Sequence, residues 1–281
     1  MTEKDLPETL IFLHMPKTAG TTFISILFRQ YSSKLCFLGA YYEIRESENY
    51  LASLPVSERQ KFKCVYITHA GFGVHRLLPQ PSSYVSFLRD PWERTVSDFL
   101  HARRNRDHSF YTRSQNGATL DDFVLYRIRE QGLTNPMVRL ISGINSLSPF
   151  KPLPVNALEL AVNNINRYFG IVGITERYDE TLLLTKRRYG WSNIFYIHRN
   201  VGSDSINKDV GARTYTQELF KEANALDNSL YEYVNKQLSE LLDKQPADYF
   251  SELKQFQHIN SIYQSSYNML RAIKRRAISR L

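Results

Sequence analysis

The first apolar run of the chain, Leu10, Ile11, Phe12 and Leu13, has the length of a strand and stops at His14. A Lys, Gly and Thr cluster follows, after which apolar residues resume at helical spacing: Phe23, Leu27 and Tyr31, with Ile24 and Phe28 beside them. The stretch Thr9 to Tyr31 therefore reads as strand, loop, helix. Lys34 to Leu38 fits a short strand, while Tyr41 to Arg59 is polar with weak helical signals. Lys63 to Thr68 is rich in β-branched and aromatic residues and predicts a buried strand ending at His69. Tyr84 to Leu88 predicts another, running into Arg89-Asp90-Pro91-Trp92-Glu93. Asp90 as N-cap, Pro91 at the first helical position and Glu93 at the third fix the start of a helix reaching about Arg104. An amphipathic helix from Leu158 to Arg167 leads to a strand at Phe169 to Gly173 and a helix to about Tyr189. Asn193 to Ile197 reads as a last short strand, and the pattern beyond Tyr215 is helical. The alternation predicts an α/β fold, a P-loop-like open and mostly parallel sheet flanked by helices, with a helical C-terminal part.

Two strand ends carry the candidate chemistry. After the first strand, loop amides and a helix N-terminus converge where partial positive charge favours a phosphate or sulfate. Lys17 adds a full charge there, and Thr18, Thr21 and Thr22 add hydroxyls. A nucleoside triphosphate loop requires its Lys after the second Gly, whereas Lys17 precedes the only loop glycine, Gly20, which argues against a kinase. His69 ends a different strand, and the C-terminal edge of an open α/β sheet is where ligands bind.

Pro16-Lys17-Thr18-Ala19-Gly20-Thr21-Thr22 resembles the 5′-phosphosulfate loop of sulfotransferases that use 3′-phosphoadenosine 5′-phosphosulfate (PAPS). Arg89 and Ser97 resemble the motif that holds the 3′-phosphate in that family, whose carbohydrate group includes the heparan sulfate 2-O-sulfotransferases and bacterial proteins. The resemblance spans roughly residues 9 to 240 and implies sulfuryl transfer from PAPS to a hydroxyl, favouring a sugar or glycan, without a metal. It implies that Pro16 to Thr22, Arg89 and Ser97 bind the nucleotide, that Lys17 is catalytic, and that His69 is the general base. His14 would line the cofactor site, and His75 would be a surface residue. Asn135 and Arg139 match a stretch near the acceptor in relatives, and the loop from His198 to Ser203 one that closes over the nucleotide. The block from Gly173 to Glu180 also matches the family and is read as ion pairs and caps supporting the fold.

Composition narrows the partners only partly. A net charge of +8 over 281 residues suits polyanions of any kind, and 42% hydrophobic content supports a substantial core. One catalytic domain is expected over 1–245, with a basic helical extension over 246–281. Arg271, Lys274, Arg275, Arg276 and Arg280 make peripheral membrane contact a reading for the extension, with nucleic acid not expected as a partner. Cys36 and Cys64 are too few for a disulfide framework or a cysteine zinc site. No apolar run approaches the roughly 20 residues of a membrane span, and Golgi relatives carry such an anchor, so a soluble, bacterial, cytoplasmic enzyme is expected. The competing functions are a PAPS-binding protein without transfer activity and a polyanion-binding module acting through its basic tail, the latter with salt-dependent association.

Overall fold

The computed structural model describes residues 8–32, 34–39, 44–68, 70–144, 151–197 and 212–278, side chains at 44–45 and 272–278 excepted. His69 and the loop from His198 to Ser203, expected to close over the nucleotide, lie outside the described residues. Five strands form one parallel sheet: β1 (Thr9–Phe12), β2 (Cys36–Gly39), β3 (Cys64–Ile67), β4 (Ser82–Leu88) and β5 (Phe169–Ile174). Their order is β2-β3-β1-β4-β5. β1 is central and buried on both faces, which is why it reads as an unbroken apolar run rather than an alternating one. The chain leaves β1 toward β2 on one side and later crosses to β4 on the other. The switch point therefore lies between the ends of β1 and β4, with the end of β3 alongside.

The helices are α1 (Gly20–Gln30), α2 (Ile44–Ser53), α3 (Val56–Arg59), α4 (Pro91–Ala102), α5 (Tyr111–Gln115), α6 (Leu120–Leu125) and α7 (Pro136–Ser142). Then follow α8 (Ala157–Tyr168), α9 (Tyr178–Tyr189), α10 (Thr214–Ala223), α11 (Ala225–Asp243) and α12 (Ala247–Ile278). On α1 the buried stripe is Phe23, Ile26 and Leu27, while Phe28 faces solvent. α9 presses onto β5 so closely that a Cβ on Gly173 would lie 2.1 Å from the Thr181 side chain. The segment Asn193 to Ile197 is not a strand: it runs outside the sheet, and the Tyr196 amide donates to Asn260 Oδ1 on α12 instead. The first turns of α12 belong to the main core through Tyr249, Leu253 and Phe256.

A second apolar cluster forms beyond the sheet from Phe99 of α4, Phe110, Phe123 and Val124 of α6, and Phe220 of α10. Phe123 meets Phe99 at 5.6 Å and Phe110 at 5.1 Å between ring centroids. Burying a ring of this size contributes about 1.5–3 kcal/mol, which is enough to pin the polar segment between Arg103 and Phe110 against α4.

Candidate active site

The loop between β1 and α1 is wound tightly by two left-handed residues, Lys17 at φ 71° and Ala19 at φ 62°. Neither is glycine, and the left-handed region costs an L-residue roughly 1–2 kcal/mol, so the surrounding packing must hold the loop in place. Thr18 does part of this: its hydroxyl is buried and donates to the Met15 carbonyl at 2.8 Å. The sequence placed Thr18 among the hydroxyl donors to an anion; that hydroxyl closes the loop instead. The ring of His14 lies behind the loop, stacked on Phe12 at 5.5 Å with Nδ1 3.2 Å from the Tyr66 hydroxyl. A Cβ at Gly20 would fall 2.1 Å from that ring, so glycine is required for α1 to start here.

Ala19 occupies the N-cap of α1 and offers no side-chain oxygen, and no acidic residue lies in the first turn. The orphan amides of the helix start are thus left to a ligand. α4 begins at the same sheet edge in the opposite condition, with Asp90 Oδ1 accepting the Glu93 amide at 2.9 Å. One helix start is capped by its own chain and the other is open to an anion.

Arg89 connects the two motifs. Its Nη1 lies 3.5 Å from the Lys17 carbonyl and its Nη2 lies 3.4 Å from Glu93 Oε2. The flanking residues are fixed by the block that follows β5: Thr175 donates its hydroxyl to the Leu88 carbonyl, and Glu176 Oε1 accepts the Asp90 amide at 3.1 Å. The Arg177 guanidinium pairs with Glu180 and donates to Ser239 Oγ. The block therefore supports the fold, as the sequence suggested, and Thr175 and Glu176 also hold the backbone on either side of Arg89. Ser97 lies two turns further along α4, half-buried.

Lys17 sits in an unusually cationic place. Burial, opposed by Asp98 and reinforced by Arg104, Arg89 and Arg94, lowers its pKa from 10.5 to about 8. Arg94 is buried, and its Nε has no hydrogen-bond partner among the described residues. Asp98 is the acidic residue of this cluster, 3.3 Å from Arg127 Nη2 and 4.0 Å from His108 Nε2. The Phe110 amide donates to His108 Nδ1 at 3.0 Å, so the neutral ring carries its proton on Nε2, toward Asp98. Burial first, and then the Lys17 charge, holds His101 below the ordinary imidazole pKa. Beyond Asp90 a cavity of about 370 Å³ is walled by Trp92, Phe220 and Tyr231, with Gln217 and Asn228 among its polar residues.

A family model described as galactose-3-O-sulfotransferase matches residues 2–261. The chain belongs to the galactose-3-O-sulfotransferase family. Human galactose-3-O-sulfotransferase 2 is 25% identical over 258 residues, covering 82% of this chain and 60% of the human protein. Human galactose-3-O-sulfotransferase 3 is 27% identical over 247 residues, covering 81% and 55% respectively. The chain thus spans somewhat over half the length of these relatives. Among solved structures, mouse sulfotransferase SULT7A1 complexed with PAP is 14% identical and covers 83% of this chain and 93% of its own, at a TM-score of 0.32.

Within this family member, one sequence assignment changes. His75 is not a surface residue: its Nδ1 lies 2.9 Å from the Tyr84 hydroxyl, and its ring packs on Phe72 and Tyr168. Asn135 and Arg139 are engaged within the fold. Asn135 ties the start of α7 to Asn224 and Asp227, and the buried Arg139 donates to the carbonyls of Thr134 and Lys151. Of the residues that surround Lys17, Arg94, Asp98 and His101 went unassigned, although they recur at i, i+4 and i+7, the spacing of one helical face.

Proposed function

We propose that the chain transfers a sulfuryl group from PAPS to a carbohydrate hydroxyl, with a galactose 3-hydroxyl as the first acceptor to try. The observation that carries this reading is the uncapped start of α1 set against Lys17 and Arg89. Its residues fit a bisphosphate nucleotide: the α1 amides with Thr21 and Thr22 for the 5′-phosphate, Arg89 and Ser97 for the 3′-phosphate. The aromatic cavity beside Asp90 supports a bound ring next to Arg89.

PAPS supplies an activated sulfuryl group whose S–O bond to phosphate breaks as the acceptor oxygen bonds to sulfur. Lys17 stabilises the negative charge growing on the departing phosphate oxygen. His69 takes the acceptor proton, a role suited to a side chain that is neutral near pH 7. His14 is the rival base, and its position behind Gly20, in contact with Phe12 and Tyr66, disfavours it. A cytoplasmic, bacterial setting belongs to the same reading, and its reducing compartment is supported by Cys36 and Cys64, which align across β2 and β3 as free buried thiols.

The test is incubation with PAPS and a panel of galactose-terminated, heparan and non-sugar acceptors, followed by mass analysis. A sulfated galactoside establishes the reading, and sulfation of a non-sugar hydroxyl alone removes the carbohydrate assignment. Nucleotide release without any sulfated product across the panel rejects this proposal. Arg89 gives a separate check. Charge-assisted hydrogen bonds contribute about 1.5–3 kcal/mol, so 3′-phosphoadenosine 5′-phosphate should bind at least roughly tenfold more tightly than AMP. Arg89→Ala is expected to erase that preference in calorimetry, and an unchanged ratio would detach Arg89 from the 3′-phosphate.

A further inference from the structure

The second half of α12 carries an apolar face that the domain does not cover. The helix is anchored at its start, where Tyr249, Leu253 and Phe256 are buried, and Tyr263 packs on Phe195 with ring centroids 6.2 Å apart. Further along, Ile262 is 53% exposed, Met269 66% and Leu270 60%. Helical spacing places Ile259, Ile262, Tyr263, Met269, Leu270 and Ile273 in one half of the helix circumference. Ser261, Gln264, Ser265 and Asn268 occupy the other half. Charge distinguishes the possible occupants of this face. Arg271, Lys274, Arg275, Arg276 and Arg280 lie at the end of this face and beyond it, and the sequence from Leu253 to Leu281 contains no Asp or Glu.

We propose that this half of α12 docks on an anionic lipid surface, lying in the headgroup plane with its apolar residues toward the acyl chains. A second copy of the helix would bring like charges together without a carboxylate to pair them. Nucleic acid would satisfy the cations and leave Ile262, Met269 and Leu270 in water. An anionic bilayer uses both features. Among the described residues no helix is long and apolar enough to cross a membrane, so the arrangement is an in-plane one. The proposal does not depend on the sulfotransferase reading.

The experiment is sedimentation of the full chain with vesicles of phosphatidylcholine alone or with about 30% phosphatidylserine. The anionic vesicles should capture at least about tenfold more protein, and added salt should release it. Met269→Glu/Leu270→Glu should abolish capture without lowering the melting temperature, since both residues are exposed. Lys274→Glu/Arg275→Glu should abolish it as well. Equal capture by neutral vesicles, or none by either, overturns the proposal. A dimer in light scattering that Met269→Glu/Leu270→Glu dissolves would assign the face to a second copy. Vesicle capture that persists in that variant while DNA competes for it would assign the segment to nucleic acid.

Discussion

Lys17→Ala is expected to lower turnover by about 10²–10³-fold while changing the affinity for 3′-phosphoadenosine 5′-phosphate by less than about tenfold. The asymmetry follows from the proposed roles: the α1 amides and Arg89 would hold the ground-state nucleotide, whereas Lys17 would act on charge that appears only as the S–O bond breaks. The lowered pKa of about 8 adds a pH signature. In the free enzyme Lys17 is cationic below that value, so kcat/KM should fall as pH rises through about 8, after climbing on the acid side as His69 becomes neutral. Lys17→Arg keeps a cation at all accessible pH and should remove the alkaline fall, and His69→Ala should remove the acid rise. Stability moves the other way. Between about 8 and the unfolded value of 10.5 the folded state binds fewer protons than the unfolded state at this site, so Lys17 makes the protein more stable as pH rises across that window. A bound anionic nucleotide returns the proton to Lys17 and should flatten this slope. If Lys17→Ala raised only KM, Lys17 would be a binding residue and another cation would have to stabilise the leaving group.

What could be read from the chain was mostly local. A strand of four buried residues, a turn carrying Lys17 and a helix start follow one another at β1, and each is marked by its own composition or spacing. The start of α4 was equally legible, because Asp90, Pro91 and Glu93 each act within one turn. Helical spacing alone did not say which of the two adjoining apolar stripes of α1 meets the sheet, and Phe28 lies on the one that does not. Asn193 to Ile197 has strand composition but no neighbouring strand to pair with, and sheet membership is a property of the partner as much as of the segment. The cluster around Lys17 was hidden for a different reason. Its members come from the β1 loop, α4, the segment holding His108 and the short π-helix Tyr126–Glu130 holding Arg127, and the packing of Phe99, Phe110 and Phe123 brings them together.

Asp227→Ala is expected to cost about 2–6 kcal/mol of stability, since about 1–3 kcal/mol is lost for each buried amide left without its acceptor. Asp227 has no solvent exposure, and its carboxylate accepts the Met137 amide at 3.0 Å and the Val138 amide at 2.8 Å. It caps α7 from a helix 89 or more residues away in sequence, a link that no local pattern announces. Its own amide donates to Asn135 Oδ1, whose amide in turn donates to Asn224 Oδ1. Burial raises the Asp227 pKa to about 6, against the opposing pull of Arg94, the two amides and Arg139. Alanine would strand two helix-start amides and leave the buried Arg94 with one fewer counter-charge beside Lys17, so the fold and the cationic cleft should fail together. Asp227→Asn retains an acceptor and should cost less, about 1–3 kcal/mol. The sign of its pH dependence is fixed. With a folded pKa near 6 and an unfolded one of 3.8, the native state binds more protons between those values, so this carboxyl's stabilisation is complete below 3.8 and is lost as pH rises through about 6. Wild type minus Asp227→Asn, followed by urea titration from pH 3.5 to pH 7, should therefore show a difference that declines with pH. A flat difference, or an Asp227→Ala protein with the wild-type midpoint, would mean that α7 and Arg94 are held by something other than this carboxylate.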